Sequence, residues 1–132
     1  MAFPVVEFFQ EKEFTCKCCN KNKTDIMFLM NLVRARRMAQ TPFKINSGYR
    51  CENHNKTIGG SPTSSHLKGC AADIACTNDE QRQKILSALI CSGFKRIGIA
   101  QDFIHVDSDT DKPARIWIYQ ETPIQKEDYD FS

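Results

Sequence analysis

The run Ala71–Cys76 reads AADIAC, an apolar stretch of strand length with a carboxylate set inside it. Successive residues of a strand face opposite sides. A carboxylate alternating with apolar neighbours is therefore drawn toward the interior, where a lone charge is expensive and needs a partner. A second stretch, Gln101 to Asp107, has the same peculiarity: QDFIHVD places Asp102, His105 and Asp107 among apolar residues. Two apolar strands that each carry acid or imidazole groups are best satisfied side by side around a common centre. The chain has only three histidines, and His66 lies seven residues before Asp73. His66, Asp73 and His105 would give that centre two imidazoles and one carboxylate. This is a familiar ligand composition for catalytic zinc with one position left for water. From residue types alone, two hydrogen-bonded His–Asp couples without metal satisfy the pattern equally well. The sequence contains neither the HExxH of a zinc helix nor the GxSxG of a serine nucleophile, although Ser47, Ser64 and Ser65 are close in sequence.

The remaining pattern predicts the scaffold. A helix starts near Thr24 or Asp25, with Ile26, Met30 and Val33 as an apolar stripe beside Leu29 and Leu32. Arg34, Arg36 and Arg37 fall late in it, where cations complement the helix end, and Thr41-Pro42 stops it. Its Met and Phe residues are expected in the core. Phe8 to Phe14 reads as an extended lead-in, and Phe43 to Asn46 as a short strand. Glu52 to Ser65 is a polar surface loop with at most a helical turn near Cys51 to Asn55. Thr77 with Glu80 reads as a capping box for a second helix carrying Ile85, Leu86, Leu89 and Ile90, closed by Gly93. Phe94 to Ile99, Phe103 to Asp107 and Arg115 to Tyr119 read as strands, with a turn at Asp109 to Pro113. The expected fold class is α+β: a small antiparallel sheet with helices packed on one side. Residues 1–119 are expected to form one domain, and residues 120–132 an acidic, solvated tail.

Three motifs in order carry a resemblance. HLKGCAAD at 66–73 matches an HxxGxAxD pattern, DFIHVD at 102–107 a second motif, and SGYR at 47–50 an arginine motif. In these, the chain resembles the zinc D-alanyl-D-alanine carboxypeptidases, their D,D-dipeptidase relatives and the phage L-alanyl-D-glutamate endopeptidases. This is a peptidase M15-like group that shares its fold with the Hedgehog signalling domain. KEFTCKCC near the start and RIWIY near the end also look like that group, so the likeness runs over about residues 8–119. The resemblance implies zinc held by His66, Asp73 and His105, with Asp102 as general base. It implies that Arg50 faces a substrate carbonyl or carboxylate and that Ser64 lines the pocket. Strand alternation sends positions 102 and 105 to opposite faces, so the Asp102 role requires a bend or bulge near Phe103, with room supplied by Gly98 and Gln101. Gly69 is expected to permit a tight turn or close backbone approach, and Asp107 to make an outer hydrogen bond rather than act as a fourth ligand.

The implied activity is zinc-dependent hydrolysis of peptide bonds in peptidoglycan stem peptides. Either terminal D-alanine is released or an internal L-Ala–D-Glu bond is cut. The alternative is a zinc module without catalysis, used for structure or wall binding. Nucleic acid is not an expected partner. The net charge is only +2, and Lys126 against Glu121, Glu127, Asp128 and Asp130 leaves just +5 on residues 1–119. Arg34, Arg36 and Arg37 have no aromatic platform beside them. No apolar run is long enough for stable membrane insertion, and a monomer is expected. The start, MAFPVVEFFQEKEF, lacks a basic leader, so synthesis in the cytoplasm and phage-type release to the cell wall are expected. Seven cysteines is an odd number. CKCC at 16–19 suits an exposed turn, a metal site or a redox pair, whereas Cys70, Cys76 and Cys91 read as small buried thiols.

Overall fold

A computed structural model describes residues 3–119, so the acidic segment 120–132 lies outside the described residues. The lead-in is not wholly extended: Glu11–Phe14 forms a short helix, α1, whose Phe14 is fully buried. The next helix, α2 (Ile26–Ala39), is capped by Asp25, whose carboxylate accepts from the Phe28 N–H. It ends at Gln40 in a left-handed conformation, just ahead of Thr41-Pro42. Its buried face is Phe28, Leu29, Leu32, Val33, Ala35 and Ala39. Phe28, Leu29, Leu32 and Val33 are core as expected, but Met27, Met30 and Met38 are exposed instead of buried. Each fully buried leucine here contributes about 2 kcal/mol of burial energy.

Strand β1 (Ile45–Ser47) follows, then α3 (Glu52–Thr57) and a 3-10 turn at Ser65–Lys68 that carries His66. Strand β2 is Ala71–Ala75 and helix α4 is Asp79–Cys91. The α4 cap is Asn78, which accepts from the Gln81 N–H, rather than Thr77. Ile85, Ala88 and Leu89 are buried in α4, while Ile90 remains exposed. Strands β3 (Arg96–Ile99), β4 (Phe103–Asp107) and β5 (Arg115–Ile118) complete the sheet.

The sheet order is β1-β2-β4-β3-β5. The first three pairings are antiparallel, and β5 joins β3 in parallel. The expected all-antiparallel sheet is thus mixed, because the chain leaving β4 crosses β3 before pairing. A parallel pair requires such a crossover, whereas a hairpin cannot make one. The fold is α+β, with the helices on one side. Ala72, Ile74, Ile104, Val106 and Ile97 point into the core with α2 and α4. By alternation, Asp73 and His105 belong to the opposite face.

Gly69 explains how the His66 turn enters β2. Its φ is +73°, and an added Cβ would lie 1.8 Å from the Lys23 carbonyl oxygen. The Gly69 carbonyl in turn accepts from Asp25 N–H at 2.8 Å, so the α2 cap and the His66 turn are held together. Gly98 has a different task from the one expected. No bend forms near it; β3 and β4 pair without interruption from Arg96–Asp107 to Ile99–Ile104. An added Cβ at Gly98 would meet the Trp117 and Tyr119 rings at 2.6–2.7 Å, so the missing side chain gives those rings their place over the sheet.

Candidate metal centre

Register brings the predicted strands together as the sequence demands. Asp73 of β2 lies directly opposite His105 of β4. The 3-10 turn then places His66 against them. His66 Nε2 lies 3.3 Å from Asp73 Oδ1, and His105 Nδ1 lies 2.9 Å from the same oxygen. The three ligand atoms all fall within 4.8 Å of one another. Both imidazoles are buried, and Asp73 is half-buried at the wall of a cleft of about 340 Å³.

The outer nitrogens fix which ring atoms face inward. His66 Nδ1 lies 2.7 Å from the Gly48 carbonyl oxygen, which can only accept, so Nδ1 carries the proton. His105 Nε2 donates to Asp107 Oδ2 at 2.7 Å. Asp107 is itself held ionised by Arg96 Nε at 2.8 Å and by the Asp109 N–H at 3.0 Å. With the outer nitrogens occupied in this way, His66 Nε2 and His105 Nδ1 are the ring atoms left to face Asp73 Oδ1 and a metal. Two imidazoles with one carboxylate suit zinc. The residues present therefore fit the metal, with Gly48 and Asp107 as the outer partners that orient the ligands.

Burial pushes the Asp73 carboxyl up, but hydrogen bonds from His105 and His66 outweigh it and hold the group well below its ordinary range. Burial favours neutral His105, while Asp107 and Asp73 together raise its pKa. Asp107 is also lowered, because His105, the Asp109 amide and Arg96 overcome its burial.

Arg50 and Ser64 line the same cleft. Arg50 Nη2 donates to the Ser64 hydroxyl at 3.3 Å, and the Ser64 hydroxyl also accepts from the His66 N–H. Burial lowers the Arg50 pKa against the pull of Asp73, yet a guanidinium stays protonated. Its Nε is buried without an acceptor. Phe103, Trp117, Tyr119 and Lys112 complete the walls.

Asp102 is the exception. The expected bulge at Phe103 is absent, since β4 keeps register with β2 through Ala75–Phe103 and with β3 through Ile99–Ile104. Ala100 N–H donates to Phe103 O at 3.0 Å and closes a hairpin with Gln101 and Asp102 at its tip. Asp102 is exposed there, its carbonyl accepts from the Cys76 N–H, and it is not among the residues lining the cleft.

Other contributors escaped the sequence reading. Asp109, read as part of a turn, is buried and accepts from Ser65 Oγ and Lys68 Nζ, both at 2.8 Å. Lys112 adds bonds to the Thr63 carbonyl and Ser65 Oγ. These contacts fasten the loop before His66 to the loop after β4. A buried aspartate in a turn gives no periodic signal, so only its partners reveal it. Trp117 was visible only as part of a closing strand; its ring lies 5.5 Å from His105 and under Arg96 at 5.0 Å.

A family model described as Peptidase M15 matches residues 2–107, most of the chain and all three ligands. No curated protein sequence matches the chain.

Proposed function

The chain belongs to the peptidase M15 family, and we propose that it is a zinc-dependent hydrolase of peptidoglycan stem peptides. The observation that carries this reading is the convergence of His66, Asp73 and His105 on one wall of a cleft that also holds Arg50 with an unsatisfied buried donor. A buried Nε–H without an acceptor is costly, and a substrate carbonyl or carboxylate would satisfy it.

When bound, zinc supplies Lewis acidity for a scissile carbonyl and brings the pKa of water to about 7. The protein does the rest. Gly48 and Asp107 hold the two imidazoles in the tautomers that expose His66 Nε2 and His105 Nδ1. Ser64 holds the Arg50 fork toward the cleft, where it fixes the substrate and stabilises developing negative charge. Trp117, Tyr119 and Phe103 offer an apolar wall for the peptide. Asp102 serves as general base, which requires the Gln101–Asp102 tip to fold over Phe103 when substrate binds. The site acts at the cell wall after release from the cytoplasm, on either the terminal D-alanine bond or the internal L-Ala–D-Glu bond.

The position of Asp102 also favours a second reading, a wall-binding zinc module without hydrolysis. Purified peptidoglycan incubated with zinc-loaded protein, beside a folded His66→Ala control, separates the two by mass spectrometry of the products. New fragments made only by the native protein are expected, and their masses distinguish the two bonds. Absence of fragments with retained wall binding would refute the hydrolase. Full hydrolysis by a folded Asp102→Asn variant would remove Asp102 from the mechanism.

A further inference from the structure

Far from CKCC in sequence, Cys51 follows Arg50 directly. In the fold, the two meet. The sulfurs of Cys16, Cys18, Cys19 and Cys51 all lie within 4.8 Å of one another. Cys16 Sγ is 3.9 Å from Cys18 Sγ, and Cys18 Sγ is 3.3 Å from Cys51 Sγ. A tetrahedral ZnS4 centre with Zn–S near 2.3 Å has sulfurs about 3.8 Å apart. A disulfide needs about 2.05 Å and satisfies only a pair. Four sulfurs gathered at this spacing match the first arrangement.

The surrounding backbone is that of a thiolate nest. Cys51 N–H donates to Cys16 Sγ and His54 N–H to Cys51 Sγ, each at 3.4 Å. The loop is closed by Cys16 N–H to Lys21 O at 2.8 Å and Asn20 N–H to Cys16 O at 3.0 Å. Asn20 takes a left-handed φ of +61°, which tightens the loop and lets three near-adjacent cysteines face one point. Lys17 Nζ donates to the Asn46 carbonyl and ties the same loop to β1. The other three cysteines stand apart: Cys70 and Cys76 are buried, and Cys91 is exposed on α4.

We propose that Cys16, Cys18, Cys19 and Cys51 form a second, structural zinc site, separate from the His66–Asp73–His105 centre. Its four positions are filled by protein, so it holds no place for water or substrate. Zinc binding displaces the four thiol protons to solvent. The centre pins the loop after α1 to the segment 48–51. That segment supplies the carbonyl that orients His66 and the guanidinium that enters the cleft. The site is thus a brace for the candidate active site and does not depend on what that site cleaves.

The test uses the full chain, purified under reducing conditions and stripped of metal, with Co²⁺ as the probe and zinc content by mass spectrometry. Two zinc ions per chain are expected. Titration with Co²⁺ is expected to give intense sulfur-to-cobalt charge-transfer absorption for one equivalent, and weaker nitrogen/oxygen-type bands for the other. His66→Ala is expected to lose the second species only. Cys19→Ser, at an exposed position, leaves three thiolates and is expected to reduce the charge-transfer absorption and weaken cobalt binding at that site only. One metal per chain with no charge transfer, while all seven thiols titrate as free, would overturn the site. So would an intact mass short of two hydrogens in the reduced preparation, with the Cys18 and Cys51 peptides found joined after digestion. Neither readout involves hydrolysis, so an inactive protein that carries the thiolate site would refute only the peptidase reading.

Discussion

Replacement of Asp107 by asparagine separates metal affinity from fold stability. Asp107 is buried and uses both oxygens: Oδ2 accepts from His105 Nε2, and Oδ1 from Arg96 Nε and the Asp109 N–H. Asparagine has one acceptor oxygen and one NH2 group. If its oxygen faces His105, the NH2 opposes the Arg96 and Asp109 donors. If it turns the other way, His105 loses its acceptor and its preferred tautomer. Loss of such an outer partner lowers metal affinity about 10- to 100-fold, or about 1.4–2.8 kcal/mol. Meanwhile the Arg96 guanidinium, only 13% exposed, loses its counter-charge. Breaking a buried pair in this way costs about 3 kcal/mol. Chelator competition for zinc at the His66 centre measures the first effect, and urea unfolding of the metal-free protein the second. Adding Arg96→Met removes the orphaned cation, while the Asp109 N–H still competes with His105 for the single amide oxygen and the carboxylate charge is not restored. Stability is expected to recover in the double variant while zinc affinity stays low. A folded Asp107→Asn protein that binds zinc within twofold of the native value would refute the orienting role. Recovery of both quantities together would show that Asp107 acts only through packing and charge.

Three further outcomes follow from the same contacts. Gly69→Ala places a side chain at φ +73° and against the Lys23 carbonyl, and is expected to cost about 2–5 kcal/mol in urea unfolding; a change below about 0.5 kcal/mol would contradict the close approach. Arg50→Ala removes the cleft's buried fork and is expected to lower kcat/KM on stem peptides about a hundredfold, with zinc content of the His66 centre unchanged. Asp109 is pushed up by burial, but Lys68, Ser65 and the Asp111 amide bring it down to about 2. A depressed carboxylate contributes stability that is complete above its unfolded value of about 3.9 and lost as pH falls toward about 2, up to about 2 kcal/mol. Unfolding midpoints of the native protein and Asp109→Asn are therefore expected to converge between pH 4 and pH 2; parallel curves would exclude Asp109 as the source.

Some of this was legible because it is local and periodic. Asp73 breaks the apolar alternation of β2, and His105 that of β4, so their meeting followed from the cost of burying either alone. Gly69 announced a turn because glycine most readily combines a left-handed φ with a close backbone approach. Other features are set by pairing order, which alternation does not encode. The parallel β5 depends on a crossover, and with it the position of Trp117 over Gly98. Asp102 illustrates the reverse case. Alternation sends it away from His105, and the structure follows alternation, leaving it at the hairpin tip instead of in the cleft. Met30 fitted a helical stripe yet lies exposed, while its expected neighbours Leu29, Leu32 and Val33 are buried. A long flexible side chain at a boundary position satisfies either face.

The segment 48–51 shows why the remote cysteines matter to the centre. Gly48 gives its carbonyl to His66 Nδ1, Tyr49 N–H bonds to Phe14 O, and Arg50 N–H bonds to His66 O. Cys51 then caps α3 with its sulfur, through the His54 N–H. Four consecutive residues thus touch the ligand turn, the N-terminal helix, the cleft and the sulfur cluster. An added Cβ at Gly48 would lie 2.6 Å from Phe14 Cα, so this segment packs directly on α1. Any displacement of the CKCC loop is transmitted through so short a span to the imidazole orientation and to the Arg50 fork. A catalytic or binding geometry tolerates misplacement of only about 0.5 Å. The segment after β1 has no long regular element of its own to supply that rigidity, since β1 has three residues and α3 has six. A small domain of this kind gains from a tether there, and the sulfur cluster is where the chain places four ligands to provide it.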